Sequence, residues 1–194
     1  MSQKNKNRLA QVNAIIEEYQ KMDLVLTLRR QVTERYHVPI LVNRGYSSVS
    51  AMFESYRRFL KAHNAGQAVR ILYLGDYDPS GIDMIRDIHD RITEFAAAQI
   101  DDFDFSITPI ALTAEQIQQY RPPANPAKVA DPRAKHFIEA NGSSSWEVDA
   151  LRPEVLTQLL DDAILGIIDI DKYQNIVETE DDDKTKLKTL LQYI

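Results

Sequence analysis

Val69-Arg70-Ile71-Leu72-Tyr73-Leu74-Gly75-Asp76-Tyr77-Asp78-Pro79-Ser80-Gly81 carries two patterns joined by a turn. Residues 69–74 form a short apolar run of the kind that fills a buried strand. Gly75 breaks the run. Asp78-Pro79 then makes a good helix start, because Asp supplies a side-chain acceptor at the cap and Pro presets φ at the first helical position. From there Ile82, Ile85, Ile88, Ile92 and Phe95 recur at helical spacing. The stretch predicts strand, glycine-bracketed turn and helix.

The same alternation extends on both sides. Upstream, His37-Val38-Pro39-Ile40-Leu41-Val42 reads as another buried strand, followed by the turn Asn43-Arg44-Gly45-Tyr46. Ser47 or Ser48 can cap the next helix, whose apolar stripe is Val49, Met52, Phe53, Tyr56, Phe59 and Leu60. Asn64-Ala65-Gly66 ends it. Downstream, residues 105–112 alternate well enough for a third strand. Strand–helix–strand–helix–strand with short turns means a parallel sheet wrapped by helices, with ligands gathering at the carboxyl ends of the strands.

The flanks are less regular. Residues 8–20 and 24–36 read as helices, and residues 120–126, with three prolines, as an extended crossing segment. Pro153 opens a helix carrying Val155, Leu156, Leu159, Leu160, Ile164 and Ile167, and residues 184–194 suggest a short terminal helix. The expected organisation is a helical segment over 1–36, an α/β domain over 37–168 and a tail over 169–194.

Composition narrows the function. The chain has 194 residues, 44% hydrophobic and 27% charged, enough for one domain with a core. No apolar run reaches the roughly 18 residues that span a bilayer, and the start of the chain lacks a signal-peptide core. With no cysteine, disulfides and thiolate metal sites are excluded. The four histidines share no zinc spacing. A cytoplasmic protein is the expectation. A net charge of -6 argues against a generally basic nucleic-acid binder and leaves room for a local basic patch beside an acidic site. The runs at 178–183 and 101–104 read as solvated loops.

Asp76 and Asp78 leave the end of a strand two residues apart, which can place both carboxylates on one side. Two charges about 6 Å apart repel by about 3 kcal/mol at an effective dielectric of 20. A cation offsets that repulsion. Mg²⁺ suits the ligand type, since it takes one or two carboxylates, waters and phosphate oxygens. The helix start at Pro79 adds N–H groups and the positive end of a dipole, which suit phosphate. The alternative is that Asp78 is only a helix cap, although capping leaves Asp76 unexplained.

Leu74-Gly75-Asp76-Tyr77-Asp78-Pro79-Ser80-Gly81-Ile82-Asp83 resembles the Asp-x-Asp-Pro-x-Gly motif of the Toprim domain in topoisomerase VI A subunits and their meiotic break-making relatives. Arg44-Gly45-Tyr46-Ser47-Ser48 is similar to the Lys-Gly-Tyr-Pro turn of that family. The chain resembles phage- and prophage-type Toprim proteins more closely still. Asp131-Pro132-Arg133-Ala134 and Trp146-Glu147-Val148-Asp149-Ala150-Leu151 look like their downstream segments. The resemblance spans roughly 36–165. It implies a Toprim-like, Rossmann-like α/β fold in which Asp76 and Asp78 hold Mg²⁺ beside a DNA backbone. It further implies that Arg44 helps position the phosphate and that Gly45, Ser80 and Arg57 lie along the nucleic acid.

Two family features have no counterpart where they are expected. A Toprim site carries a glutamate at the end of its first strand, whereas Glu17-Glu18-Tyr19 lies within or just after a predicted helix. Leu26-Thr27-Leu28-Arg29-Arg30 resembles the start of the winged-helix segment that bears the nucleophilic tyrosine, yet it runs directly into Gln31-Val32-Thr33. The 1–36 segment thus reads as a winged-helix remnant. Glu147 and Asp149 are candidate replacement carboxylates, and Tyr46 reads as a packing residue.

Two expectations follow: a Mg²⁺-dependent, DNA-processing Toprim protein, or a shortened, non-catalytic one that binds DNA or a protein. A homodimer through an uncovered sheet edge and a separate protein supplying missing catalytic parts are the expected partners. A haloacid-dehalogenase-type phosphatase also opens on Asp-x-Asp, but no downstream lysine and acidic pair stands out.

Overall fold

The computed structural model describes residues 27–30, 32, 34–42, 46–100, 102–127 and 133–191. The helical residues 27–30, 32 and 34–36 make up α1. α2 (Val49–Asn64) begins where the Ser48 hydroxyl accepts the Ala51 N–H, so the capping serine is Ser48. β1 (Val69–Leu74) and β2 (Phe105–Ala111) pair in parallel, with Val69 opposite Phe105 and Ile71 opposite Ile107. α3 (Pro79–Ala97) is the crossover that parallel pairing needs. There follow α4 (Ala114–Tyr120), β3 (Asn125–Pro126), α5 (Ala134–Asn141), β4 (Ser144–Ser145), a 3-10 turn (Val148–Ala150), α6 (Pro153–Leu165) and α7 (Ile170–Leu191). β3 and β4 form a small antiparallel pair.

β1 is apolar on both faces because both are covered. Ile71 and Tyr73, with Phe105 and Ile107, pack against Met52, Tyr56, Ile88 and Ile92 of α2 and α3. Leu72, Leu74 and Ile110 face the other way, toward Val32, Tyr36, Leu160 and Ile164. The period of two along the strand separates the two sets. A third cluster of Ala111, Leu112, Leu151 and Leu156 lies at the carboxyl end of the sheet, with Tyr77 and Trp146 packed on it. The expected parallel sheet flanked by helices is therefore present, as a two-stranded sheet among the described residues.

Several expectations need correction. Residues 37–42 are not a strand: no ladder partner among the described residues engages them, and Ile40, Leu41 and Val42 are 38%, 48% and 52% exposed. Apolar character selects a strand only where a neighbour supplies hydrogen bonds, and neither β1 nor β2 takes residues 37–42 onto its open edge. The 178–183 run, expected as a loop, lies inside the 22-residue α7, which also absorbs most of the expected short terminal helix. Helix α4 was not expected. Thr113 and Gln116 build a reciprocal cap for it, and Gln116 also donates to the Ile110 carbonyl. Helix α5 was not expected either. The predicted helix at 8–20 lies outside the described residues.

Candidate metal and phosphate site

The acidic turn leaves the carboxyl end of β1 and folds back on itself within six residues. Gly75 carries the pairing one step beyond the register shift at Tyr73/Leu74, its N–H donating to the Ala111 carbonyl at 2.7 Å and its carbonyl accepting from Leu112 N–H at 2.9 Å. Tyr77 then pairs with Trp146 in an antiparallel bridge, with N···O distances of 2.8 and 3.1 Å. Gly81 is required sterically. A Cβ there would lie 2.1 Å from the Asp76 carbonyl oxygen, so only glycine lets the first turn of α3 close on the backbone of Asp76.

Both aspartates are held in that fold. Asp78 is the N-cap of α3, and its Oδ1 accepts from the Gly81 N–H at 2.6 Å and from the Ser80 hydroxyl at 2.8 Å. Asp76 Oδ1 accepts from the Val148 N–H at 2.9 Å. Capping thus accounts for Asp78 as the sequence allowed, and Asp76 has a separate task, which is to tie the 146–148 segment to the turn. The Tyr73 hydroxyl donates to the Gly81 carbonyl at 3.1 Å. Burial raises this phenol to about 12, and the Asp76 and Asp78 charges push it the same way.

A donor set of two carboxylates fits Mg²⁺, which completes its shell with water and phosphate oxygens. It does not form a closed protein cage: no group of three or more His, Asp or Glu is placed for a metal among the described residues. Glu147 and Asp149 flank Val148, so the chain segment that bears them is brought to Asp76. Val148 and Asp149 sit in the 3-10 turn.

The basic candidates separate. Arg44 and Gly45 lie outside the described residues. Arg57 is exposed on α2 and pairs with Glu54 at 3.2 Å, and Arg58 donates to the Ser55 hydroxyl at 3.1 Å. Both belong to a solvated helix face.

A polar cluster that sequence reasoning missed lies one turn into α3. Asp83 accepts from the Tyr46 hydroxyl at 2.6 Å, from Arg133 at 3.1 Å and from Arg86 at 2.8 Å. The Arg133 guanidinium also sits 5.1 Å from the Tyr46 ring centroid. Tyr46, expected as a packing residue, is 38% exposed and serves as a hydrogen-bond donor instead. The signal was present: Tyr46, Asp83 and Arg133 stand in three of the four motif-like segments.

Compared with protein-family models, with curated proteins and with solved structures, the chain matches none. No helix among the described residues is long and apolar enough to cross a membrane.

Proposed function

We propose that this chain is a Mg²⁺-dependent, DNA-binding and DNA-processing module of the Toprim kind, in which Asp76 and Asp78 hold the ion beside a backbone phosphate. The observation that carries the reading is the turn itself. Both carboxylates are fixed just past the carboxyl end of a parallel strand, Asp78 as the cap of a 19-residue helix and Asp76 against the Val148 N–H. Ligands of open parallel sheets gather at that end. The positive end of the α3 dipole lies beside the carboxylates, although the Gly81 N–H and the Ser80 hydroxyl are already given to Asp78. When bound, Mg²⁺ supplies the positive charge that lets an anionic backbone approach two carboxylates. Arg44 and Gly45, and Arg57 along α2, are the proposed contacts to the nucleic acid. Strand scission also needs a nucleophile, which in this reading a separate cytoplasmic protein supplies.

A second reading is a non-catalytic module that binds DNA or protein. It is favoured by one observation: each aspartate already performs a local structural task, Asp78 as cap and Asp76 as acceptor for Val148.

Calorimetric titration of Mg²⁺ into the wild type and into Asp76→Asn/Asp78→Asn tests the site, with supercoiled plasmid run in a parallel gel. Asn is as good an N-cap as Asp, so the variant keeps its helix, as circular dichroism can check. Loss of the binding isotherm in a folded variant supports the metal site, and Mg²⁺-dependent nicking by the wild type then selects the processing reading. A plasmid shift without nicking selects the binding module. A wild type that takes up no Mg²⁺ would sink the proposal.

A further inference from the structure

α5 lies across the acidic turn, and one stripe of it makes the contact. Arg133, Phe137 and Asn141 stand at i, i+4 and i+8. Asn141 Oδ1 accepts the hydroxyl of Tyr77 at 2.6 Å, and the Phe137 ring centroid lies 5.8 Å from that of Tyr77. Tyr77 stands between Asp76 and Asp78. At the other end of the stripe Arg133 reaches Asp83, three residues beyond Ser80 on α3. The guanidinium therefore meets α3 about 5 Å further along its axis than Ser80, whose hydroxyl is bound to Asp78. Asp83 does not depend on Arg133. Its Oδ1 keeps Arg86 at 2.8 Å and its Oδ2 keeps the Tyr46 hydroxyl at 2.6 Å. The Arg133 side chain is 38% exposed, and an ion pair that open to water adds little stability. Nor does α5 itself account for an arginine here. Arg133 makes no side-chain cap bond, and a cation opposes the positive end of the helix dipole.

We propose that Arg133 is a phosphate-binding residue of the acidic-turn site, its guanidinium exchanging Asp83 for a backbone phosphate next to the one held at the metal. This role rests on the reading of the turn as a Mg²⁺ site for nucleic acid and adds a named contact outside the carboxylates. A guanidinium presents its donors as a planar fork that fits phosphate oxygens, and charge-assisted bonds of this kind are stronger than neutral ones. The Tyr46 ring, its centroid 5.1 Å from the guanidinium carbon, supports one face of that plane. The exchange leaves the carboxylate paired, because Arg86 and Tyr46 stay on Asp83. Phosphates of one strand follow each other at about 3.4 Å of rise, so the offset between Ser80 and Asp83 is on the scale of one nucleotide step. Arg86 is not equivalent. It is spanned between Asp83 and Asp90, at 2.8 and 2.7 Å, farther down α3.

Equilibrium binding of a short fluorescein-labelled DNA duplex to the full chain, read by anisotropy at a fixed low Mg²⁺ concentration across a KCl series, tests this role. Each phosphate that a cation neutralises adds about 0.9 to the slope of log K against log salt. Arg133→Gln is expected to bind about tenfold more weakly, with a slope smaller by about one. A merely structural role leaves the slope where it is. Asp83→Asn removes the anion that competes for Arg133, and is expected to bind the duplex no more weakly than the wild type. If Asp83 and Arg133 only clamp α5 to α3, both variants weaken binding alike. Circular dichroism checks that each variant is folded. Where Arg133→Gln is not, Asp83→Asn decides by the sign of its effect. A wild type that leaves the duplex unbound sinks the nucleic-acid reading and this role with it. Binding in which Arg133→Gln keeps the wild-type slope overturns the role alone, and so does weaker binding by Asp83→Asn.

Discussion

Tyr73 offers a spectroscopic handle on the two aspartates. Its phenol is raised from the ordinary 10.0 to about 12, first by burial and then by the charges of Asp76 and Asp78. Removing both charges with Asp76→Asn/Asp78→Asn should lower that value, yet leave it above 10 because burial is the larger cause. A carbon-13 titration of the tyrosine ring carbons checks this, and an unchanged Tyr73 in the variant would mean the carboxylates do not face it. The linkage has a definite sign. A phenol whose folded pKa exceeds its unfolded pKa adds stability that is complete below pH 10 and is lost as the pH rises through about 12. Gly81 makes a second residue-scale case. Gly81→Ala places a Cβ 2.1 Å from the Asp76 carbonyl oxygen, and backbone cannot yield as a side-chain tip can. The expected cost is about 2–4 kcal/mol. Gly142→Ala, at φ +83° and ψ 179° with nothing within 4 Å, carries backbone strain alone and should cost about 1–2 kcal/mol. Urea midpoints of the two variants rank them, and equal values would refute the steric account of Gly81.

At the level of elements, the start of α3 separates structure from ligand binding. Asp78→Ala removes the acceptor for the Gly81 N–H and the Ser80 hydroxyl, and should cost about 1 kcal/mol of stability. Asp78→Asn should cost a few tenths at most. If the metal reading holds, both weaken Mg²⁺ binding, so stability and binding part company in the Asn variant. If the Asn variant keeps its Mg²⁺ binding as it keeps its stability, Asp78 is a cap and nothing more. This helix start was legible in the sequence because Asp-Pro acts locally, as was β1, whose apolar run meets a glycine. Residues 37–42 misled for the opposite reason. Their apolar run is as good as that of β1, and strand formation depends on a ladder partner that local pattern cannot reveal. The charged run at 178–183 misled too. Its side chains suit a solvated loop or a solvated helix equally, and only the ion pairs Lys184–Glu180 and Lys186–Asp183 show the helical register. Of the site, Asp76 and Asp78 could be read from spacing. The hold of Val148 on Asp76 spans 72 residues and could not.

The whole molecule is organised around one thin sheet that two helical layers share. Ile92, fully buried, packs on the Ile71 and Tyr73 face of β1, while Leu156, also fully buried, packs in the cluster that holds Leu74, Ala111 and Trp146. Two strands are too few to fold alone, so each layer depends on the sheet that the other layer completes. Unfolding should therefore be a single transition. Ile92→Ala and Leu156→Ala should each cost about 2–5 kcal/mol through lost burial and the cavity left behind. The sole tryptophan, Trp146, lies in the second cluster, so its fluorescence reports that side, whereas far-ultraviolet circular dichroism reports all helices. For Ile92→Ala, both signals should move to lower urea together, although Trp146 belongs to a different cluster from the mutated residue. A dichroism midpoint that falls while the fluorescence midpoint stays would show that the layers unfold independently. The acidic turn would then be anchored by only one of them. If the two midpoints coincide, the sheet transmits the loss across its thickness, and a defect under α3 reaches the bridge between Tyr77 and Trp146 that shapes the turn.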